Sequence, residues 1–271
     1  MFNLDLHRNN LKSLVQSLKK PFFFYDLDIL DRHTSRLSKL PVKLWYAVKA
    51  NPLSSIIKSI NKNRVNFDVA STGELEQVLS HGIESSNILS TGPAKSYEQI
   101  KKFIKQGIRI FVVESLNQLL YLKSISESYN CNIKVLLRVQ LEWNFNSNNV
   151  LGGSETTPFG LLPQEWIKIH EEHNISNFKR IRILGFHSFQ WGNILSSKDL
   201  DVIWDKVTRD AIELSKKMDI SFKVLDLGGG IGINYSRIDS PLPVSSVEQS
   251  LNKLKKNFLI KSSGLNWVDM L

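Results

Sequence analysis

Cysteine is nearly missing from this chain: Cys131 is the single one in 271 residues. One thiol excludes an intrachain disulfide framework and a cysteine-built metal site. Long apolar runs are missing too, none approaching the ~18 residues that a membrane-spanning helix needs. The N-terminal MFNLDLHRNN has acidic and polar residues where a secretory leader would have its apolar stretch. These absences predict a cytoplasmic protein with no membrane partner. A basic block is also lacking, although Lys and Arg outnumber Asp and Glu by 35 to 26, a net charge of +9. That surplus favours anionic partners in general without identifying one. The densest patch, Lys253-Leu254-Lys255-Lys256, lies among apolar residues at helical spacing and reads as a solvated helix face. With no recognition motif beside it, no nucleic-acid partner is expected. His170 and His173 stand three apart on a predicted helix with no third ligand nearby, so no metal site is expected either.

What is present is ordinary globular material, 42% hydrophobic and 10% aromatic, enough for one large core or two small ones. There are no internal repeats and no clear linker. Leu11, Leu14, Val15 and Leu18 give residues 1–20 the spacing of an amphipathic helix. Phe22–Tyr25 reads as a short strand after Pro21, so residues 1–25 form a lead-in helix and strand. The main domain follows over 26–271, opening with Asp26 as the cap of a helix to about Ser38. Apolar strand candidates recur at 44–48, 65–69, 87–90, 109–113, 134–139, 182–187 and 224–227. Helical patterns fill most of the gaps, at Gly73–Ser80, Tyr97–Lys105, Ser115–Tyr129, Gln164–His173 and Leu200–Lys217. Apolar strands alternating with helices define an α/β chain with a covered parallel sheet. An eighth strand at Leu265–Leu271 would complete a (β/α)8 TIM-like barrel. A doubly wound open sheet is the competing architecture, and pattern alone does not choose between them. Gln140–Pro158 is a long polar loop, a length common at functional sites.

In a barrel the chemistry gathers at the C-terminal ends of the strands. Lys49 ends the first predicted strand, in LWYAVKANP. Burying an ammonium without a partner costs several kcal/mol, so a lysine there either snorkels to water or is held for chemistry. Asp68 lies near the end of the second strand, followed by Ser71 and Glu74. Arg138 lies near the end of the fifth, and His187 ends the sixth, followed by Phe189 and Trp191. Gly228-Gly229-Gly230 follows the seventh. Backbone N–H groups of such a turn can approach a phosphate because no Cβ intervenes. An ordinary strand-to-helix turn is the alternative. The turn lacks the dinucleotide fingerprint spacing and the Lys-Ser/Thr pair of a nucleotide P-loop. A lysine, a phosphate cradle, a carboxylate and a flat side chain around one cavity suit pyridoxal 5'-phosphate, whose aldehyde a lysine amine can capture as a Schiff base.

Several motifs extend this reading: PFFFYDLDIL at 21–30, YAVKANP at 46–52, FDVASTGELEQVL at 67–79, GGSETTPFG at 152–160, GFHSFQ at 185–190 and LDLGGGIGINY at 225–235. In these the chain resembles the barrel-type pyridoxal-phosphate decarboxylases that act on diaminopimelate, ornithine and arginine. The resemblance implies an alanine-racemase-like barrel with Lys49 as the Schiff-base lysine. It implies that Asp68, Arg138, His187, Phe189 and Gly228–Gly230 hold the cofactor, with Glu74 nearby. His187 falls on the first histidine of the sixth-strand motif. Phe189 replaces the second, ring-stacking one, and keeps a flat face without hydrogen-bonding capacity. Trp191-Gly192 replaces the Gly-Ser that usually follows. Family members continue into a Glu-x-Gly-Arg turn and a β-rich C-terminal domain, neither matched here, so a barrel truncated at or after its eighth strand is expected. Residues 1–26 would then expose apolar surface. The implied activity is decarboxylation of a small amino acid, free or carrier-tethered, with a second copy or a second chain supplying the missing domain. Alternatives are a non-catalytic pyridoxal-phosphate-binding barrel and an inactive truncated decarboxylase.

Overall fold

The computed structural model describes residues 4–143, 145, 157–234, 242–261 and 269–270. Eight parallel strands form one sheet in sequential order: β1 (Trp45–Ala47), β2 (Asn66–Val69), β3 (Ile88–Ser90), β4 (Ile110–Val113), β5 (Ile133–Arg138), β6 (Ile181–His187), β7 (Val224–Asp226) and β8 (Asp269–Met270). Each strand pairs in parallel with the next. This order decides between the two architectures. A doubly wound sheet reverses direction at a switch point, whereas right-handed crossovers that always advance produce a (β/α)8 barrel-like sheet. Of the expected eighth strand only 269–270 lies among the described residues.

Helices connect the strands, and local chemistry starts many of them. After the N-terminal α1 (Leu4–Leu18) comes α2 (Leu27–Leu37), capped by Asp26, whose side chain accepts the Ile29 N–H. Ser71, Ser96, Ser115 and Ser196 do the same for α4 (Thr72–Leu79), α5 (Tyr97–Lys105), α6 (Leu116–Ser128) and α8 (Ser197–Lys217). Each cap satisfies an N–H that the first helical turn leaves without a partner. The remaining helices are α3 (Ser54–Lys62), α7 (Pro163–His173) and α9 (Val244–Lys261). Lys253 of the basic patch bridges α9 to α8 through Asp201 at 2.7 Å. Among the described residues no helix is long and apolar enough to cross a membrane.

The strands' two-residue period sorts the core into two layers. Phe67, Phe111, Val135, Leu137 and Phe186 face outward into the main core against the helices. Leu89, Val112 and Leu136 face inward, with Trp45, Leu184 and Val224 packed on them, and fill the barrel. A register shift at Val135/Leu136 adjusts β5 against β6. There Gly185 lets β6 press onto β7, since a Cβ on it would lie 1.8 Å from Val224 O.

One expected element is not formed. Residues 22–25 run without regular structure. No described strand accepts them as a neighbour, so strand-like composition has no ladder to join. Phe23 is 89% exposed and Val15 58% exposed, leaving the lead-in segment with an uncovered apolar surface.

Candidate active site at the strand ends

The inward parity that fills the barrel with apolar side chains continues to the C-terminal strand ends, where the residues become polar. Asp68, Arg138, His187 and Asp226 occupy inward positions of β2, β5, β6 and β7. Thr91 and Glu114 extend the same face one residue beyond β3 and β4. A polar ring therefore sits directly on the apolar layer of Leu89, Val112 and Leu136.

The ring is tied together. The Thr91 hydroxyl donates to Asp68 Oδ1 at 2.7 Å. Arg138 Nη1 donates to Glu114 Oε1 at 3.0 Å, a buried ion pair, and the guanidinium lies 4.8 Å from the Phe159 ring centroid. His187 Nδ1 lies 2.7 Å from Asp226 Oδ2, a close contact without hydrogen-bond alignment. Asp226 Oδ1 accepts the Gly228 N–H at 2.8 Å, anchoring the glycine turn. Burial pushes the Asp68 carboxyl up to about 6, and Asp226 adds to the rise; the Thr91 hydroxyl, Lys49 and His187 oppose it. Asp68, His187, Asp226, Gly228 and Gly229 line one cavity of about 170 Å³, whose other wall is apolar and includes Trp45 and Leu89. A larger cleft of about 410 Å³ lies between α8 and α9, lined by Asp201, Asp205 and Lys253, away from the ring.

Lys49 follows β1 in a single turn of 3-10 helix, exposed at the rim. Its turn is pinned by the Tyr46 hydroxyl, which donates to Asn51 O at 3.1 Å. The three glycines all have positive φ, of 67°, 87° and 82°. A Cβ on Gly228 would lie 2.4 Å from Phe189 Cβ, and one on Gly230 2.6 Å from Trp191 O. A Cβ on Gly229 would meet nothing within 4 Å. The turn is thus closed on both flanks and open at its centre. Phe189 packs against Gly228 and does not line the main cavity. Glu74 is engaged elsewhere, closing the N-terminus of α4 by accepting the Ala70 N–H at 2.9 Å and the Ser71 hydroxyl at 3.0 Å. Residues 152–156 of the GGSETTPFG motif lie outside the described residues.

Glu114 and the buried Lys95 lie outside the motifs, and Asp226 lies inside LDLGGGIGINY but reads there as part of the strand. Glu114 and Asp226 carry a usable signal, a charge at the end of an otherwise apolar strand. Lys95 lies in a loop and carries none. It is only 5% exposed, its Nζ donates to Gly92 O, and burial pulls its ammonium down to about 8 against the attraction of Glu114 and Asp68.

A (β/α)8 barrel with a titratable ring and an open glycine turn at its C-terminal face defines a small-molecule site of the phosphate-holding barrel class. Residues 27–266 match the family described as "Pyridoxal-dependent decarboxylase, pyridoxal binding domain", and the chain belongs to that family. It is 28% identical over 252 residues to a diaminopimelate decarboxylase of Haemophilus influenzae, covering 90% of this chain and 60% of that protein. It is 20% identical over 252 residues to a decarboxylase of Niallia circulans named for L-glutamyl BtrI acyl-carrier protein, covering 92% of this chain and 58% of that one. Its fold matches the diaminopimelate decarboxylase of Helicobacter pylori complexed with L-lysine, with a TM-score of 0.79 at 22% identity, over 96% of this chain and 64% of the other. The chain thus spans about 60% of the length of such curated relatives.

The residues present fit pyridoxal phosphate. The turn offers backbone N–H groups with space at Gly229, and a carboxylate and an imidazole share the cavity with it.

Proposed function

We propose that this chain is the cofactor-binding barrel of a pyridoxal-phosphate-dependent amino-acid decarboxylase, with Lys49 as the covalent anchor. The observation that carries the reading is the shared cavity: Asp68, His187 and the glycine turn line it together, with Gly229 open at the turn's centre. When bound, the cofactor supplies an electron sink for the carbanion left as carbon dioxide departs. The chain's own residues do the rest. The N–H groups around Gly229 take the phosphate, as backbone amides take anions generally. Asp226 orients the turn through Gly228 and holds His187 beside it. Asp68 would offer the bound group a carboxyl oxygen from β2. Arg138, fixed by Glu114, places a permanent positive charge in the same polar ring. Lys49, at the edge of the barrel mouth, can reach in from water.

The substrate class is a small amino acid, free or carrier-tethered; both kinds occur in the names of relatives. A second polypeptide or a second copy completes the site. The uncovered surface around Phe23 and Val15 supports such a partner. The length relation also supports the other reading, a barrel that binds the cofactor without turnover.

Purification with pyridoxal phosphate tests the core of the proposal. The visible absorbance of lysine-bound cofactor is expected in the native protein and lost in Lys49→Ala. A band unchanged by that substitution would place the anchor elsewhere and sink the assignment. Carbon dioxide release from a panel of amino acids, with and without a partner chain, then separates enzyme from binder.

A further inference from the structure

Arg138 ends β5, and its guanidinium is the permanent charge of the polar ring. Its ion pair does not orient it. Nη1 donates to Glu114 Oε1 at 3.0 Å, while Glu114 Oε2 is buried with no hydrogen-bond partner. A bidentate pair fixes the plane of a guanidinium, whereas a pair made through one oxygen leaves it free to pivot. The other polar contact, Nη2 to Phe189 O, is long at 3.4 Å. The Phe159 ring covers the guanidinium, its centroid 4.8 Å away and within reach of cation–π attraction. Phe159 is itself 37% exposed and belongs to no helix or strand, so its own packing does not fix it.

Its backbone does. The buried Gln140 amide spends its whole hydrogen-bonding capacity on the segment around Phe159. Oε1 accepts the Thr157 N–H at 2.8 Å and the Thr157 hydroxyl at 3.1 Å. Nε2 donates to Thr157 O at 2.8 Å and to Gly160 O at 2.9 Å. The Thr157 hydroxyl oxygen in turn accepts the Phe159 N–H at 3.3 Å. Past Gly160, the Leu161 N–H donates to Arg138 O at 3.2 Å and Leu161 O accepts the Gln140 N–H at 2.9 Å. The segment presses on Arg138 itself: a Cβ on Gly160 would lie 2.6 Å from Arg138 O and 2.9 Å from Arg138 Cγ.

We propose that Gln140 is a positioning residue that acts through Phe159: by pinning Thr157 and Gly160 it sets the aromatic face over the Arg138 guanidinium, and that face holds in place a charge that Glu114 alone would let pivot. The inference rests on the proposed cofactor site for the use of Arg138, but its test needs no cofactor, so either can fail while the other stands.

The experiment is nitrogen-15 spectroscopy of the arginine side chains in the full chain without cofactor, with Arg138 assigned by its loss in Arg138→Lys. In the native protein the Arg138 Nε–H is expected to be displaced by the ring current of Phe159 and to exchange slowly with water. Phe159→Leu removes the aromatic face and keeps every Gln140 bond; the displacement should vanish and exchange should rise ~tenfold. Phe159→Tyr should restore both. Gln140→Leu keeps the aromatic face but frees its backbone, and should reproduce the Phe159→Leu spectrum. A glutamine that merely supported the fold would lower the melting temperature and leave the Arg138 signal where it was. An unmoved Arg138 signal in folded Gln140→Leu, or in Phe159→Leu, overturns the proposal. Should Gln140→Leu fail to fold, Thr157→Val decides instead: it deletes the hydroxyl that joins Gln140 to the Phe159 N–H, and an Arg138 signal identical to the native one overturns the proposal equally.

Discussion

Asp226 serves two neighbours with one carboxylate: Oδ2 lies 2.7 Å from His187 Nδ1 across the β6–β7 seam, and Oδ1 accepts the Gly228 N–H at 2.8 Å. The imidazole and the phosphate-type turn are therefore coupled through a single buried side chain. Asp226→Asn keeps an oxygen for Gly228 but removes the charge beside His187; Asp226→Ala removes both. A charge-assisted hydrogen bond contributes roughly 1.5–3 kcal/mol, so Asp226→Ala should weaken pyridoxal phosphate binding by ~ten- to hundredfold, with Asp226→Asn in between. Quenching of tryptophan fluorescence on titration reads this, because Trp45 lines the cavity. Native affinity in both variants would mean the coupling has no role in binding.

Asp68 gives stability a specific pH dependence. Its folded-state carboxyl titrates at about 6, above the 3.8 of an ordinary aspartate, chiefly because burial disfavours the charge. The folded state thus holds the proton more tightly than the unfolded state. Stability contributed by this group is full below about pH 4, declines as pH rises to about 6, and is flat above. The total is at most about 3 kcal/mol, since the cavity admits solvent. Asp68→Asn should therefore be more stable than the native chain in urea at pH 7.5 and show little difference at pH 3.5. An equal difference at both pH values would mean that Asp68 ionisation is not its source.

The glycines of the turn should fail in different ways. All three have positive φ, so alanine strains each by about 1–2 kcal/mol. Gly228→Ala also drives a methyl to 2.4 Å from Phe189 Cβ, and a marked loss of melting temperature is expected. Gly229→Ala meets no atom within 4 Å, so it should melt closer to the native chain yet bind pyridoxal phosphate far more weakly, its methyl occupying the anion's place. Thermal melts beside binding titrations separate the two. Identical binding losses would show that the turn does not act as a cradle.

Much of the barrel was legible because strands and helices have local causes. The apolar runs that became β2 through β6 and the serines that cap α4, α5, α6 and α8 act over a few residues, and such signals survive in a linear reading. Phe22–Tyr25 shows the limit. Its composition suits a strand, but a strand exists only beside a partner, and 22–25 has none among the described residues. The site divides the same way. Lys49, Asp68, Arg138 and His187 stand at strand ends in the sequence, and the glycine turn announces itself. Asp226 also ends its strand, but its tie to His187 crosses between strands, and Lys95 lies in a loop with no period to mark it.

The sequence by itself determined most of the strands and helices, and which polar residues stand at the strand ends, because propensity, capping and the two-residue alternation are properties of neighbours along the chain. Only the tertiary structure decided that the strands run in sequential order, that Asp226 joins His187 to the glycine turn, that Glu74 is occupied at a helix start, and that Lys95 is buried. Those outcomes depend on which backbones lie side by side and which charges lose their water, and both are settled by packing across long sequence separations.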